Sequence, residues 1–328
     1  MTDFQCHLFL KQHEMELIFS EIFKGINELG DANSPQLHSA QLAIDNFMLI
    51  MCKLQKYAGQ RIVIKMGGSL TDTPLAVRSL AIDVLLLKMA GLFPVIVNGG
   101  GKAINRKTGV SNPVKIAGYR VTDEHTAKLV DQVLLEVSNE IANAITTLAK
   151  NINTTVIAQS FRGSDVFRCK AREVFLPDGS KADLQYVGKV TDAKIEAIIE
   201  VLNAGGIPVV GSSSLGGDHK IYNCNADDAA ATLGAKINAE RLIYLTEAEG
   251  ILDASCKLCS NLTPAQVSSM LKSGELSEQI LPKLEGVLDA LEYGIGAVSV
   301  IDGRVRHNLL LDLLLKDSSH PFGTNFTK

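Results

Sequence analysis

The chain has 328 residues, of which 46% are hydrophobic and 21% are charged, and its formal net charge is −4. This is the composition of a globular protein with a large core, and it gives no electrostatic support for nucleic-acid binding. The N-terminus lacks the basic and apolar regions of a signal peptide, and the apolar stretch 42–54 is shorter than the ~20 residues that span a bilayer. We therefore expect a soluble, cytoplasmic protein that binds neither nucleic acid nor membrane.

Residues 1–58 predict a helical extension. Apolar residues recur at roughly helical spacing over 4–26, and residues 30–33 break that pattern. Ser34 and Pro35 form a good N-cap and first-turn pair for a second helix. Such an extension can pack on its own domain or on a second subunit, and the sequence leaves both arrangements open.

From Arg61 onward, short apolar strands end in glycine loops. The predicted pieces are strand 62–64, loop 65–68, helix 74–90, strand 94–97, loop 98–101 and a helix from Lys102. Strand, glycine loop, helix and strand again is typical of βαβ units on a buried parallel sheet.

The second half repeats this pattern. The predicted pieces are β-hairpins within 166–190, helix 193–204, strand 207–210, loop 211–218, a helix beginning over 227–233, strand 242–245 and a last central strand, 297–301. No Pro/Ser-rich linker separates the halves, so we expect them to share one continuous sheet.

The six cysteines are scattered, which suits a reducing compartment. They are Cys6, Cys52, Cys169, Cys224, Cys256 and Cys259. The last two have C-x-x-C spacing, but a zinc site would need a second pair, and none exists. A redox pair stays open, beside the simpler interpretation of two loop cysteines that are close by chance.

The two glycine loops are candidates for anion binding. Glycines directly after a strand let backbone N–H groups approach an anion closely, and Lys65 adds a fixed positive charge. A plain tight turn with a surface lysine is the alternative for loop 65–68, and a flexible connection is the alternative for loop 98–101. Both loops would face one crevice at the carboxyl ends of neighbouring strands. Neither is a G-x-G-x-x-G or a G-x-x-x-x-G-K-[ST] loop, which weakens a dinucleotide fold and a Walker-type ATPase.

Three further segments carry charged or amide side chains. Arg120, before a predicted helix, can clamp a carboxylate with two parallel hydrogen bonds or form an ordinary surface ion pair. Residues 222–227 (Tyr-Asn-Cys-Asn-Ala-Asp) place two asparagines and Asp227 ahead of an apolar helix, where a helix cap is the alternative. Pro282 and Lys283 open another helix and, taken alone, are an ordinary helix start.

In this order and spacing, the five segments resemble the acetylglutamate kinases of the amino-acid kinase family. The resemblance covers roughly residues 60–328. It implies an α/β fold, a three-layer αβα sandwich around a mostly parallel central sheet, with an N-terminal helical extension. It also implies an extension over 1–58 and a kinase domain over 59–328, with the acyl amino acid bound over about 59–190 and ATP over about 191–328.

The resemblance implies ATP-dependent phosphorylation of the γ-carboxylate of N-acetyl-L-glutamate in arginine biosynthesis. Lys65 and Lys283 would contact the phosphates, and Asp227 would hold both lysines in register. The other implied contacts are Gly67 and Gly68 to phosphate, Gly100 and Gly101 to the reacting carboxylate, Arg120 to the α-carboxylate, Asn223 to the amino-acid end, and Thr246 and Gly250 near the nucleotide. Mg²⁺ would accompany ATP, held mainly by phosphates and water, with no metal ligand expected from the protein.

The resemblance also bears on assembly. Family members with an extra N-terminal helix are often arginine-inhibited hexamers in which those helices link dimers. We therefore expect a homo-oligomer, a dimer or a hexamer joined through the N-terminal helices, with arginine as an effector.

The sequence departs from the family's pattern at several places. Asn98 stands where the family usually has histidine, and Lys102 stands where proline usually follows the glycine triplet. Residues 278–280 (Glu-Gln-Ile) replace a Gly-Gly-Met loop, and residues 160–165 lack the compact Ser-Gly-x-Asp form. These differences bear on turnover and on the identity of the acyl substrate.

Two other functions stay open. One is a kinase of the same fold that acts on another carboxylate, such as α-aminoadipate or aspartate, although Arg120 and Asn223 favour an N-acyl α-amino acid. The other is a non-catalytic amino-acid sensor, which Glu278 favours. The absent dinucleotide fingerprint disfavours a nicotinamide-dependent dehydrogenase.

Overall fold

The computed structural model describes residues 35–176, 178–253, 255, 257–273, 280–315 and 322–327. Several sequence predictions fall outside these residues. They are the helix over 4–26, the cap at Ser34, the C-x-x-C partner Cys256, and Glu278 with Gln279.

The described residues form fourteen strands and ten helices. The strands are β1 (Arg61–Met66), β2 (Phe93–Asn98), β3 (Lys115–Ile116), β4 (Tyr119–Arg120), β5 (Ala158–Phe161), β6 (Phe167–Ala171), β7 (Val187–Ala193), β8 (Ile207–Gly211), β9 (Ser214–Gly216), β10 (Ile221–Cys224), β11 (Arg241–Thr246), β12 (Asn261–Leu262), β13 (Ala297–Asp302) and β14 (Gly323–Thr327). The helices are α1 (Pro35–Leu54), α2 (Pro74–Met89), α3 (Gly101–Thr108), α4 (Glu124–Asn151), α5 (Gly163–Val166), α6 (Glu196–Asn203), α7 (Ala226–Lys236), α8 (Pro264–Ser273), α9 (Leu281–Glu292) and α10 (Asn308–Leu314).

Eight strands form one continuous sheet in the order β12-β14-β13-β11-β1-β2-β8-β5. Neighbouring strands are parallel throughout, apart from the antiparallel pair β13 and β14. The predicted mostly parallel sheet is therefore confirmed, and strands from both halves of the chain belong to it.

Both faces of this sheet are covered by helices. Alternation along β1 sends Ile62 and Ile64 into a core shared with α1, α2, α4 and α10, whereas Val63 enters a core shared with α6 to α9. A parallel strand buried on both faces needs a nearly continuous apolar sequence, which is what the run Ile-Val-Ile in β1 supplies. The predicted three-layer αβα sandwich is confirmed.

A smaller group of strands lies beside the main sheet. Strands β10, β7, β6 and β9 close on one another, and β6 pairs with β7 in the antiparallel sense, within the region predicted to hold β-hairpins. The predicted start of helix 193–204 is wrong. Ala193 still pairs with Phe167 as the last residue of β7, so α6 begins only at Glu196.

Helix α1 carries apolar residues on two faces. Phe47, Met51 and Leu54 are buried in the core. The exposed apolar side chains, called here the α1 outer face, are Leu42, Ile44, Met48 and Leu49. Within the described part of the chain, we find no helix with both the length and the apolar character that crossing a membrane requires.

One buried carboxyl group outside the cavity gives a pH-dependent prediction for stability. Asp83 on α2 is 2% exposed, and His307 Nδ1 lies 2.6 Å from its Oδ1. Burial raises the pKa of Asp83 to about 6, outweighing the lowering effect of His307. A raised carboxyl pKa means that this group's contribution to stability is complete below pH ~4 and is lost as the pH rises through about 6.

Substituting Asp83→Asn removes this titration. Between pH 5 and pH 8, we expect the variant to gain about 1.5 kcal/mol in unfolding free energy relative to the wild type. Urea unfolding of both proteins across this range measures the difference. The contributions of groups that have the same pKa in both proteins cancel when the two unfolding free energies are subtracted. A difference that stays constant with pH would contradict the prediction.

Candidate active site

A cavity of about 300 Å³ opens where β1 and β2 end, a size suited to a small ligand. The predicted site residues that line it are Lys65, Gly68, Gly100, Gly101, Arg120, Asn223, Asp227 and Lys283. They lie far apart in sequence, and the parallel sheet brings them to one edge. Three predicted residues are not among those lining the cavity: Gly67, Thr246 and Gly250.

The two glycine loops contact each other directly. A Cβ atom added to Gly68 would stand 2.2 Å from the backbone nitrogen of Gly101 and 2.7 Å from that of Gly100. Any side chain at Gly68 would therefore push the loops apart. The Gly99 N–H also donates to the Met66 carbonyl at 3.1 Å, which fixes the second loop on the end of β1.

Helix N-termini meet at this cavity. Gly101 begins α3, Ala226 begins α7, and Lys283 lies in the first turn of α9, and all three residues line the cavity. Because the N-terminal end of a helix carries a partial positive charge and unpaired N–H groups, this convergence favours an anionic ligand.

Lys65 and Asp227 form a buried ion pair. The Nζ atom of Lys65 lies 2.7 Å from Oδ1 of Asp227, and their side chains are 8% and 5% exposed. Asn225 caps α7 by accepting a hydrogen bond from the Asp227 N–H at 3.0 Å. The cap fixes the first turn of the helix, and with it the direction of the Asp227 carboxylate.

Lys283 is brought to the same place by α9. Burial lowers the pKa of its ammonium group, the Lys65 charge lowers it further, and the Asp227 charge partly offsets both effects. One turn along α9, a Cβ added to Gly286 would stand 3.3 Å from Cβ of Asp227, so glycine there lets the two helices pack closely. Two cations thus flank one carboxylate.

Arg120 and Asn223 are linked through one threonine. Arg120 donates to the Gly101 carbonyl at 3.3 Å and to the Asn105 side chain, and burial lowers the pKa of its guanidinium group. The Asn223 amide donates to Oγ1 of Thr122 at 3.0 Å, and that hydroxyl donates to the Arg120 carbonyl at 2.8 Å. A basic and an amide group are thereby held on one wall of the cavity.

The remaining three predicted residues are Gly67, in the first glycine loop, and Thr246 and Gly250, at and after the end of β11. The Gly67 N–H donates to the Leu245 carbonyl at 3.1 Å, so in this structure it serves the junction with β11. The Thr246 hydroxyl donates to the Ala248 carbonyl at 3.0 Å and shapes the following turn. Gly250 packs against Thr324, whose Oγ1 would lie 2.7 Å from an added Cβ.

Sequence reasoning missed several lining residues. Lys115, Tyr119, Ser212 and Cys224 also contribute to the cavity. Lys115 pairs in register with Arg120 across the β3–β4 hairpin, and a predicted hairpin before Arg120 would have found it. Ser212 lies in the predicted glycine- and serine-rich loop, which was assigned no chemistry.

Asn98 is not among the residues that line the cavity. Its side chain is fully buried, donates to the Leu134 carbonyl at 3.3 Å and accepts from the Ser138 hydroxyl at 2.7 Å. It therefore ties the end of β2 to α4. Asn98 therefore stabilises the start of the glycine triplet 99–101 through its contacts with α4.

The charge of the lining favours ligands with more than one anionic group. Among the described lining residues, the basic side chains are Lys65, Lys115, Arg120 and Lys283, and the one carboxylate belongs to Asp227. Within the described part of the chain, no cluster of three or more His, Cys, Asp or Glu residues could hold a metal ion.

An αβα sandwich with a cation-rich cavity at the edge of its sheet suits a protein that binds anionic ligands. The model of the amino acid kinase family matches residues 60–302, and the chain belongs to that family. Acetylglutamate kinase from Thermoanaerobacter pseudethanolicus is 37% identical over 267 residues, or 79% of this chain and 86% of that protein. Acetylglutamate kinase from Aquifex aeolicus is 36% identical over 287 residues, 84% of this chain and 94% of that protein. These relatives confirm the resemblance.

Solved structures support the fold. N-acetylglutamate synthase from Neisseria gonorrhoeae, complexed with coenzyme A and N-acetyl-glutamate, superimposes with a TM-score of 0.71 at 21% identity over 87% of this chain. The match spans 63% of that synthase's length. Carbamate kinase from Giardia lamblia bound to AMP-PNP gives a TM-score of 0.61 at 12% identity, covering 83% of this chain and 99% of that one.

Proposed function

We propose that this chain transfers the γ-phosphoryl group of ATP to the γ-carboxylate of N-acetyl-L-glutamate, a step of arginine biosynthesis that yields N-acetyl-L-glutamyl 5-phosphate. The observation that carries the proposal is the Lys65–Asp227 ion pair with Lys283 beside it, in the same cavity as Arg120 and Asn223. Acetylglutamate kinases that align over about four fifths of the chain support the choice of substrate.

The reaction needs alignment and charge neutralisation more than covalent help. An oxygen of the substrate γ-carboxylate attacks the γ-phosphorus, and the bond from that phosphorus to the bridging oxygen breaks, leaving ADP. Lys65 and Lys283 neutralise charge on the transferring group, and each can lower the barrier by a few kcal/mol. The acceptor is already ionised at about pH 7, so no general base is required.

The acceptor would be held at both ends. Arg120 pairs with its α-carboxylate, Asn223 donates to its amino-acid end, and the N–H groups of Gly100 and Gly101 approach the reacting carboxylate. The link from Asn223 through Thr122 ties the Asn223 amide to the backbone of Arg120. This wall would recognise an N-acyl α-amino acid. The acyl-binding half proposed for residues 59–190 supplies Arg120, Gly100 and Gly101, and Asn223 reaches it from the half proposed for residues 191–328.

The nucleotide would lie along the β1 and β11 ends of the sheet. Lys65, Gly68 and Lys283 would face its phosphates, whereas Gly67, Thr246 and Gly250 would shape the adjoining edge. The half proposed for residues 191–328 supplies Thr246, Gly250 and Lys283, and the first glycine loop supplies the other three residues. The register pairs Met66 with Leu245, which places this edge next to the first glycine loop. Mg²⁺ would bind through phosphate oxygens and water.

The experiment that tests the function is direct. The purified chain is incubated with ATP, Mg²⁺, hydroxylamine and N-acetyl-L-glutamate, and the acyl phosphate is trapped as its hydroxamate while ADP release is followed. A panel with α-aminoadipate, aspartate and N-acetyl-L-aspartate separates the proposed acceptor from other carboxylates. Hydroxamate formed faster with another acceptor, or none with any, would overturn the proposal.

Substituting Arg120→Lys should weaken acceptor binding selectively. Lysine cannot make two parallel hydrogen bonds to a carboxylate, so we expect the KM for N-acetyl-L-glutamate to rise about 10- to 100-fold, with the KM for ATP within about twofold. Arg106→Lys on α3 is the matched control, because Arg106 pairs with Asp72 at the surface. Equal KM changes for both substrates would contradict the assigned role.

The N-terminal extension would contribute to assembly. We place a subunit contact on the α1 outer face, whose leucines and methionine are exposed on a helix that is otherwise packed on the core, and we extend it to a dimer or hexamer with arginine as an effector. Light scattering and arginine titration of the full chain and of a chain starting near Ala58 test this. An unchanged number of subunits per particle and an unchanged response to arginine would contradict the proposal.

The compartment proposed for this reaction is the cytoplasm. The described cysteines that are free thiols are Cys52, Cys169, Cys224 and Cys259. Unpaired thiols suit a reducing compartment. Alkylation of the protein in lysates prepared with and without reductant tests the point, and disulfide-linked species in the native protein would count against it.

A further inference from the structure

Arg172 follows β6 directly and is nearly buried behind the cavity. Its backbone N–H donates to the Val187 carbonyl at 2.8 Å, and its side chain is only 7% exposed. Burying a guanidinium group is costly unless it is paired and hydrogen-bonded, so its partners should reveal why it lies there.

The guanidinium group contacts three separate elements. It donates to the Asp228 carboxylate at the start of α7, and it lies 4.2 Å above the ring of Tyr119 on β4. Its Nη1 atom is 3.9 Å from Oε2 of Glu285 on α9. The Tyr119 hydroxyl donates to the same Glu285 oxygen at 3.2 Å, so the contacts form a closed network.

Each of these partners is a near neighbour of a proposed site residue. Tyr119 precedes Arg120, Asp228 follows Asp227, and Glu285 lies two positions after Lys283 in the same helix. One guanidinium group thus joins the hairpin that would hold the acceptor to the helices that carry Asp227 and Lys283.

The burial of this network changes the pKa of Asp228. Burial raises the pKa of its carboxyl group to about 6, Arg172 opposes that shift, and the neighbouring Asp227 adds to it. Two adjacent buried carboxylates, one paired with Lys65 and one with Arg172, are held at the start of a single helix.

We propose that Arg172 is a positioning residue: without touching either substrate, it sets the distance and angle between the Arg120 hairpin and the helices that carry Asp227 and Lys283. This inference rests on the proposed phosphoryl transfer, in which an error of about 1 Å in alignment costs on the order of 100-fold in rate. A lysine at this position would keep the positive charge. It lacks the planar guanidinium group, which can stack on an aromatic ring and pair with a carboxylate at its edge at the same time.

The first test compares two arginine-to-lysine substitutions on the same strand region. Arg172→Lys should lower kcat on the order of 100-fold, with the KM for ATP within about threefold. Arg168→Lys is the matched control, because Arg168 donates to the backbone carbonyls of Ser164 and Phe167, away from the cavity lining. A kcat for Arg172→Lys within twofold of the wild type, or an equal loss in the control, would overturn the proposal.

A second test separates positioning from simple stabilisation. Arg172→Met leaves Asp228 buried and unpaired, and adding Asp228→Asn removes that charge and should restore much of the thermal stability. Positioning predicts that kcat stays low in the double variant although stability recovers. Recovery of kcat together with stability would show that Arg172 only compensates a buried charge.

A third measurement does not depend on turnover. In hydrogen exchange, Arg172→Lys should speed exchange about tenfold in 115–121 and in the first turns of α7 and α9, while Arg168→Lys should not. If the wild type makes no hydroxamate, the proposed function fails, and this measurement still decides the role of Arg172. Unchanged exchange in these three segments would reject it.

Discussion

Replacing Lys65 with methionine is expected to lower kcat by about 10³-fold, because it removes a fixed cation where charge develops on the transferring phosphoryl group. The substitution also leaves Asp227 buried without its partner, which should cost about 3–5 kcal/mol of stability. Coupled ADP release and hydroxamate formation measure the first effect, and urea unfolding measures the second.

The two effects of Lys65→Met can be separated. Adding Asp227→Asn should recover stability but not activity, because the buried charge is neutralised while the cation stays absent. Lys102→Met is the matched control, since Lys102 is an exposed lysine just after the second glycine loop and pairs with Glu247 at 3.4 Å. A Lys65→Met variant that retains a tenth or more of the wild-type kcat would contradict the assigned role.

Lys283→Met should lower kcat by about 10²- to 10³-fold with no loss of stability. The pKa of Lys283 is lowered chiefly by burial and then by Lys65, so keeping this ammonium group charged in the folded protein costs stability. Removing that charge should leave the melting temperature equal to or above that of the wild type. A variant that loses activity only in proportion to a loss of folded protein would contradict this.

Lys65 and Lys283 therefore differ in a measurable way. Lys65 has an anionic partner at 2.7 Å, so its loss should damage both fold and rate. Lys283 occupies this position although burial disfavours its charged form, which is typical of a charged group that binds a ligand. Parallel measurements of kcat and unfolding free energy on the two variants distinguish these situations.

The central strands and glycine loops could be predicted from sequence because local chemistry determines them. β-branched runs such as Ile-Val-Ile in β1 suit strands buried on both faces, and the glycines at 67–68 and 99–101 mark where the chain must turn tightly. The error at Ala193 arose because alanine favours helices and is depleted in strands, whereas its pairing with Phe167 in β7 overrides that preference.

The supporting network around the cavity could not be predicted in the same way. Arg172 lies 53 positions from Tyr119 and 56 from Asp228 (172 − 119 and 228 − 172), and no local pattern marks them as partners. Lys115 was missed for a related reason, since its place opposite Arg120 depends on a hairpin of two-residue strands. Periodicity identifies elements, whereas contacts between their side chains depend on how those elements pack.

The close backbone contact between Gly68 and Gly101 holds the two glycine loops at a fixed spacing. Backbone packs on backbone there, so in the proposed reaction the distance between the γ-phosphate and the acceptor carboxylate would be set by atoms that have no rotamers. An acceptor one methylene shorter, bound through its α-carboxylate to Arg120, would not reach the γ-phosphate, and no side chain could move to close the remaining distance. Chain length, more than charge, would then decide which dicarboxylic acyl amino acid is phosphorylated.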